Sequence, residues 1–192
     1  MAVVGVMALL AVVGVPALKG LTGSGGRKQT LGQLMGALEV ARNTAISCGT
    51  NAAVIFPDSS FSLGDAYKYR SMAVVAWNPT NSTSPATMIG PWIVLPQGIA
   101  FFPNSIAGLP SASNVSLRIL TTTNTGNFRG IVFQSDGALA DGLSSTPTNG
   151  IAFFEGTVNG TTPNLTSRMT NFENVRIGRY SGRAQATSAP AP

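Results

Sequence analysis

Hydrophobic and polar positions follow three different patterns along this chain, and each pattern predicts a different element. From Met1 to Leu18 nothing alternates: MAVVGVMALLAVVGVPAL is apolar on every face and is closed by Lys19. As a helix this run spans about 27 Å at ~1.5 Å per residue, close to the ~30 Å hydrocarbon thickness of a bilayer. A secretory signal would need basic residues ahead of the apolar run, and none precedes it. A helix apolar all round requires lipid or a protein sheath, and the valines with Gly5, Gly14 and Pro16 suit either. The expectation is a transmembrane or filament-core helix over 1–19, with Val4, Val6, Leu9, Leu10, Val12, Val13 and Leu18 as its apolar surface.

The second pattern is a single stripe. Leu31, Leu34, Leu38, Ala41 and Ala45 fall at spacings of three and four, which predicts an amphipathic helix over 28–48 lying on something apolar. Thr30 reads as a cap near its start, Gly49 as its stop, and Cys48 as a small packing residue at its end. Between the two helices lies GLTGSGGR, residues 20–27, with Gly20, Gly23, Gly25 and Gly26. Each glycine costs a helix about 1 kcal/mol relative to Ala, so this segment is expected to be a hinge. Its likeness to a phosphate loop fails, because the Gly-Lys-Ser/Thr ending and the preceding strand are both missing.

Beyond Gly49 short apolar runs alternate with turn residues, which predicts strands. These are 52–56, 66–77, 92–95, 99–102, 115–120, 129–133, 151–154 and 175–180. Asp136-Gly137, Asn159-Gly160 and Ser181-Gly182 supply positive-φ residues for tight turns. Segments 78–91 and 103–113 read as loops, and residues 184–192 lack the apolar content to fold and read as a disordered tail. The fold class is α+β: an N-terminal hydrophobic helix, a Gly-rich break, then a second helix packed on a mostly antiparallel β domain over 49–183.

Composition narrows the chemistry. Charged residues make up 10% of the 192, where a globular domain usually carries about 25%. With no histidine, Ser-His-Asp and Cys-His catalysis and His-ligated metals are excluded; one cysteine excludes an internal disulfide and CxxC chemistry. The Asp58/Asp65 and Asp136/Asp141 pairs lack the alternating carboxylates of a dedicated calcium loop and read as turn residues. No catalytic residue, metal, cofactor or small-molecule substrate is expected.

Four stretches resemble type IV pilin-like proteins, with the H-type minor pseudopilins of type II secretion and their type IV pilus counterparts the nearest in pattern. LMGALEVARNTAISCG (34–49) is similar to that family's helix ending, and LPQGIAF (95–101) to its mid-domain strand-turn-strand. IVFQSDG (131–137) and VRIGRYSGR (175–183) resemble its last hairpins. The family's processing site, a Gly, an apolar residue and a Glu at the fifth mature position, is missing, since no Glu precedes Glu39. The chain opens inside what corresponds to the apolar helix, which implies a start upstream or a shortened chain.

The resemblance implies a structural subunit without an active site. It would be anchored once in the bacterial inner membrane with a periplasmic β domain, and would pack against other pseudopilin subunits through residues 1–45. Secreted cargo is a further expected partner. The net charge of +5 leaves a second reading. Arg168, Arg176, Arg179 and Arg183 face only Glu173 in sequence, a basic C-terminal region of the kind that would hold DNA through its phosphates, independent of base sequence. Its opposite is an edge strand whose charges discourage stray pairing. A third reading, an anchored adhesin-like β domain, accounts for the Thr/Asn-rich loops but not for the hinge and striped helix.

Overall fold

A computed structural model describes residues 2–61, 64–78, 86–109, 111–119, 122–140, 150–166 and 171–190. Of these, residues 2–24, 111–119, 122–127, 171, 189 and 190 are described by backbone alone. The architecture is α+β: an N-terminal helix, then antiparallel strands in two sheets and a second, short helix.

Helix α1 runs without interruption from Ala2 to Cys48. The expected hinge over 20–27 is therefore not a break. Gly20, Gly23, Gly25 and Gly26 lower helix propensity, but propagation from the long flanking segments outweighs a few unfavourable residues. The helix ends where expected, at Gly49 with φ +61°, and the Thr50 amide donates back to the Ala45 carbonyl at 3.1 Å. That six-to-one bond with a left-handed glycine is the Schellman stop. Thr30 is no cap: it sits mid-helix, fully buried, with its hydroxyl unpartnered. Cys48 is exposed, so it is not a packing residue either.

The first sheet contains β1 (Asn51–Phe56), β2 (Ser71–Trp77), β3 (Thr87–Met88), β4 (Ile93–Val94), β6 (Ser111–Ile119) and β7 (Thr122–Phe133). Its order is β3-β2-β1-β7-β6, with β4 also on β2. The second contains β5 (Ile99–Phe101), β8 (Gly150–Asn159), β9 (Thr162–Leu165), β10 (Asn171–Ile177) and β11 (Ala184–Pro190), in the order β11-β10-β8-β5 with β9 on β8. Helix α2 (Pro103–Ala107) takes part of a segment expected to be loop. The expected tail is also structured in part, because 184–190 pairs along the whole of β10. Main-chain bonding to a neighbouring strand needs no apolar side chain, which is why composition concealed it.

Alternate residues of the two sheets and one face of α1 enclose a shared core. Val54, Phe56, Met72, Val74, Ile131 and Phe133 meet Phe101, Ile151, Phe153, Val175 and Ile177, with Leu34, Leu38, Ala41 and Ala45 from the helix. The other face of β1 and β2 is buried too, under Phe61, Tyr67, Trp92 and Phe128. The expected strand over 66–77 is shorter at its start. Residues 65–70 form turns, and Tyr69 at φ +56° breaks the alternation.

Among the described residues no helix is long and apolar enough to cross a membrane. This overturns the expected transmembrane span and the single-pass inner-membrane placement with its periplasmic domain. The part of α1 with described side chains carries Arg27, Lys28, Glu39 and Arg42 and buries one face on the β domain. Such a helix is amphipathic and belongs on its own sheet, not in lipid.

Candidate assembly helix and basic face

The buried seam of α1 is offset from the stripe read in the sequence. Gly26, Thr30, Leu34, Ala37, Leu38, Ala41 and Ala45 are buried, whereas Leu31 is only partly covered and packs on the edge of the core. A Gly and a Thr complete the seam at its start, and neither registers as apolar. Gly26 lies against the strand-turn-strand of residues 95–101: a Cβ there would touch Ile99 Cγ1 at 3.4 Å and Pro96 Cβ at 3.6 Å. One residue on, Arg27 Nε pairs with Glu155 of β8 at 3.2 Å, both side chains partly buried. Glu173 of β10 lines a small recess with Arg27, Lys28 and Leu31. The helix thus enters its β domain through a glycine contact flanked by opposite charges.

Its far end is held by two turns. Gly137 (φ +80°) and Gly182 (φ +62°) occupy the tips expected from Asp136-Gly137 and Ser181-Gly182. A Cβ on Gly182 would run into the Gly137 carbonyl and come within 3.0 Å of Arg42 Nε, and one on Gly137 would meet Ile46 Cδ1 at 2.7 Å. Arg42 Nε donates to the Ser181 carbonyl at 3.1 Å, and the Leu139 amide to the Arg179 carbonyl at 2.9 Å. Two hairpin tips distant in sequence therefore close on one another and on the last turns of α1. Asp136 caps its own turn by accepting from the Ala138 amide at 2.9 Å, and Asp58 accepts from the Ser60 amide at 2.8 Å. Both carboxylates act as turn residues, and Asp141 lies outside the described residues.

The first half of α1 presents a different situation. Val4, Val6, Leu9, Leu10, Val12, Val13 and Leu18 lie on helical backbone, and their side chains are outside the described residues.

 The helix is 47 residues long, about 70 Å at ~1.5 Å per residue. A β domain of this size is on the order of 35–40 Å across. The helix is therefore longer than a domain of this size is wide.

Of the four arginines expected to form a basic face, Arg168 lies outside the described residues. Arg176 and Arg183 are exposed. Arg179 is half-buried, with its guanidinium 5.9 Å from the ring of the exposed Tyr180. Along β10, Val175 and Ile177 point into the core and Arg176 points away from it. Glu173, counted in sequence as the one opposing acid, is turned to the α1 side beside Lys28. Sequence spacing could not separate the two faces of β10 without its register.

No protein family, characterised protein or solved structure matches this chain.

Proposed function

We propose that this chain is a pilin-like subunit, a minor pseudopilin of the H type or its type IV pilus counterpart, and serves as an assembly part of a bacterial secretion or pilus filament. The observation that carries the reading is the division of α1. Residues 26–45 form a seam on the β domain, while an uninterrupted helical backbone continues to Ala2 through a stretch whose sequence is apolar on all sides. A helix of that composition requires a sheath, and equivalent helices of neighbouring pilin-like subunits would supply one. The role is structural, and secreted cargo would engage the β domain.

The test is Val12→Asp in the full chain, read by co-purification with other pilin-like subunits. A buried aspartate without a partner removes the association and leaves the circular dichroism of the β domain unchanged. Co-purification at the unsubstituted level would overturn the helix-bundle reading.

A second reading, binding of DNA by the basic face, is favoured by the turning of Glu173 away from Arg176. Duplex DNA titrated at low and moderate salt tests it. Binding should weaken with salt and be lost in an Arg176/Arg179/Arg183→Ala variant; no binding at low salt would reject it.

A further inference from the structure

Tyr69 has φ +56°, alone among the described non-glycine residues in the left-handed region. For a bulky side chain this backbone is costly, and it persists only where the surroundings fix it. Here they do. The Tyr69 amide donates to the Pro57 carbonyl at 2.9 Å, its carbonyl accepts from the Phe101 amide at 2.8 Å, and its side chain is buried in the main core. The consequence falls on its neighbours: Lys68 and Arg70 line the same cleft, in a segment where an extended strand was expected.

The cleft holds about 440 Å³ and lies between the 59–70 segment and the β8–β9 hairpin. Ser59, Asp65, Lys68 and Arg70 line one side, and Thr157, Asn159 and Gly160 the other. Lys68 Nζ pairs with Asp65 at 2.7 Å, on the exposed rim. Arg70 is half-buried, its Nε is enclosed without a hydrogen-bond partner, and its guanidinium has no carboxylate partner among the described residues. The cleft therefore carries one more positive charge than negative. A half-buried guanidinium without an anion is an incomplete arrangement, because Arg presents a planar donor fork suited to carboxylate and phosphate oxygens.

We propose that this cleft binds a small organic anion through its phosphate or carboxylate group. Arg70 receives the oxyanion, Lys68 adds charge from the rim, and the hairpin turn at Asn159-Gly160 closes the other side. The volume lies within the range of small-molecule sites and exceeds what a bare ion requires. This inference is independent of filament assembly.

The experiment titrates the full chain with inorganic phosphate and, separately, with succinate, at ionic strength held constant with sodium chloride. Amide chemical shifts of Asn159 and Gly160 are followed by NMR. Saturable shifts with a millimolar Kd are expected for at least one probe, and the probe that binds more tightly identifies the anionic group. Arg70→Gln should weaken binding at least tenfold, with Phe101 and Tyr69 amides unmoved as evidence of an intact fold. Should that variant fail to fold, Lys68→Met on the exposed rim decides, with about a threefold loss expected. Shifts that do not saturate with either probe, or affinities unchanged in the folded variants, would overturn the proposal.

Discussion

The two halves of α1 share one backbone and differ in what their side chains require. From Gly26 to Ala45 a buried residue recurs every three or four positions, the period of a helix lying on one surface. From Ala2 to Leu18 apolar residues follow no such period. The difference teaches that periodicity records the geometry of the cover. A sheet on one side selects a stripe, whereas neighbours on all sides select apolar residues everywhere. Glycine obeys the same logic. Within the helix its cost is absorbed by long flanking segments, whereas at Gly49, Gly137 and Gly182 its positive φ is required.

The largest effect expected is from Leu38→Asp, in the half that lies on the sheet. It removes a side chain that is 1% exposed and buries a carboxylate in the main core. Lost packing alone costs about 2–5 kcal/mol, and an unpaired buried charge adds several more. The sum is comparable with the ~5–15 kcal/mol stability of a typical domain, so thermal unfolding should show the native transition lost or sharply lowered. Val12→Asp, by contrast, should leave that transition in place and remove only association. Equal behaviour of the two variants would break the comparison.

Gly182→Ala tests how the far end of the helix is held. It places a Cβ against the Gly137 carbonyl at a positive φ, and should lower stability by about 1–3 kcal/mol in denaturant unfolding. An unchanged midpoint would show that the two tips do not meet. Thr30→Val acts in the opposite direction. The buried Oγ1 has no partner, so replacing the hydroxyl by a methyl of similar shape should raise stability by about 1 kcal/mol. A loss of stability instead would mean that the hydroxyl is hydrogen-bonded.

The smallest effect lies outside α1. Lys68 holds the Asp65 carboxyl below its ordinary value of 3.8, first by a hydrogen bond and then by charge. The pair therefore contributes stability above that ordinary value, and the contribution is lost as pH falls through the lowered one. Asp65 is fully exposed, so the change is slight and should fade with salt. Comparing acid unfolding of the unsubstituted chain with Lys68→Met measures it; identical acid limbs at low salt would show the pair to be inert.

Much of this architecture was legible in the residues. Helix-period leucines, short apolar runs and Gly-containing turns located the second half of α1, β1, β5, the start of β8 and the tips at 137 and 182, because each follows from local geometry. What escaped depends on partners distant in sequence. Composition read residues 184–190 as tail, while β10 supplied their main-chain bonds. Gly26 joins the helix seam because Ile99 and Pro96 come close, and Thr30 is buried one turn on, which no hydropathy pattern records. The left-handed Tyr69 is imposed by Pro57 and Phe101, so alternation carried the expected strand through it. The membrane reading rested on apolar length, on the flanking residues and on the family resemblance, and the described residues do not bear it out.

The most direct test of the division of α1 is site-specific photo-crosslinking in the assembled state, with the crosslinker at position 12 in one sample and at position 38 in another. The account predicts adducts to a second chain from position 12 and only intrachain adducts from position 38. Interchain adducts from position 38, or none from position 12, would contradict it.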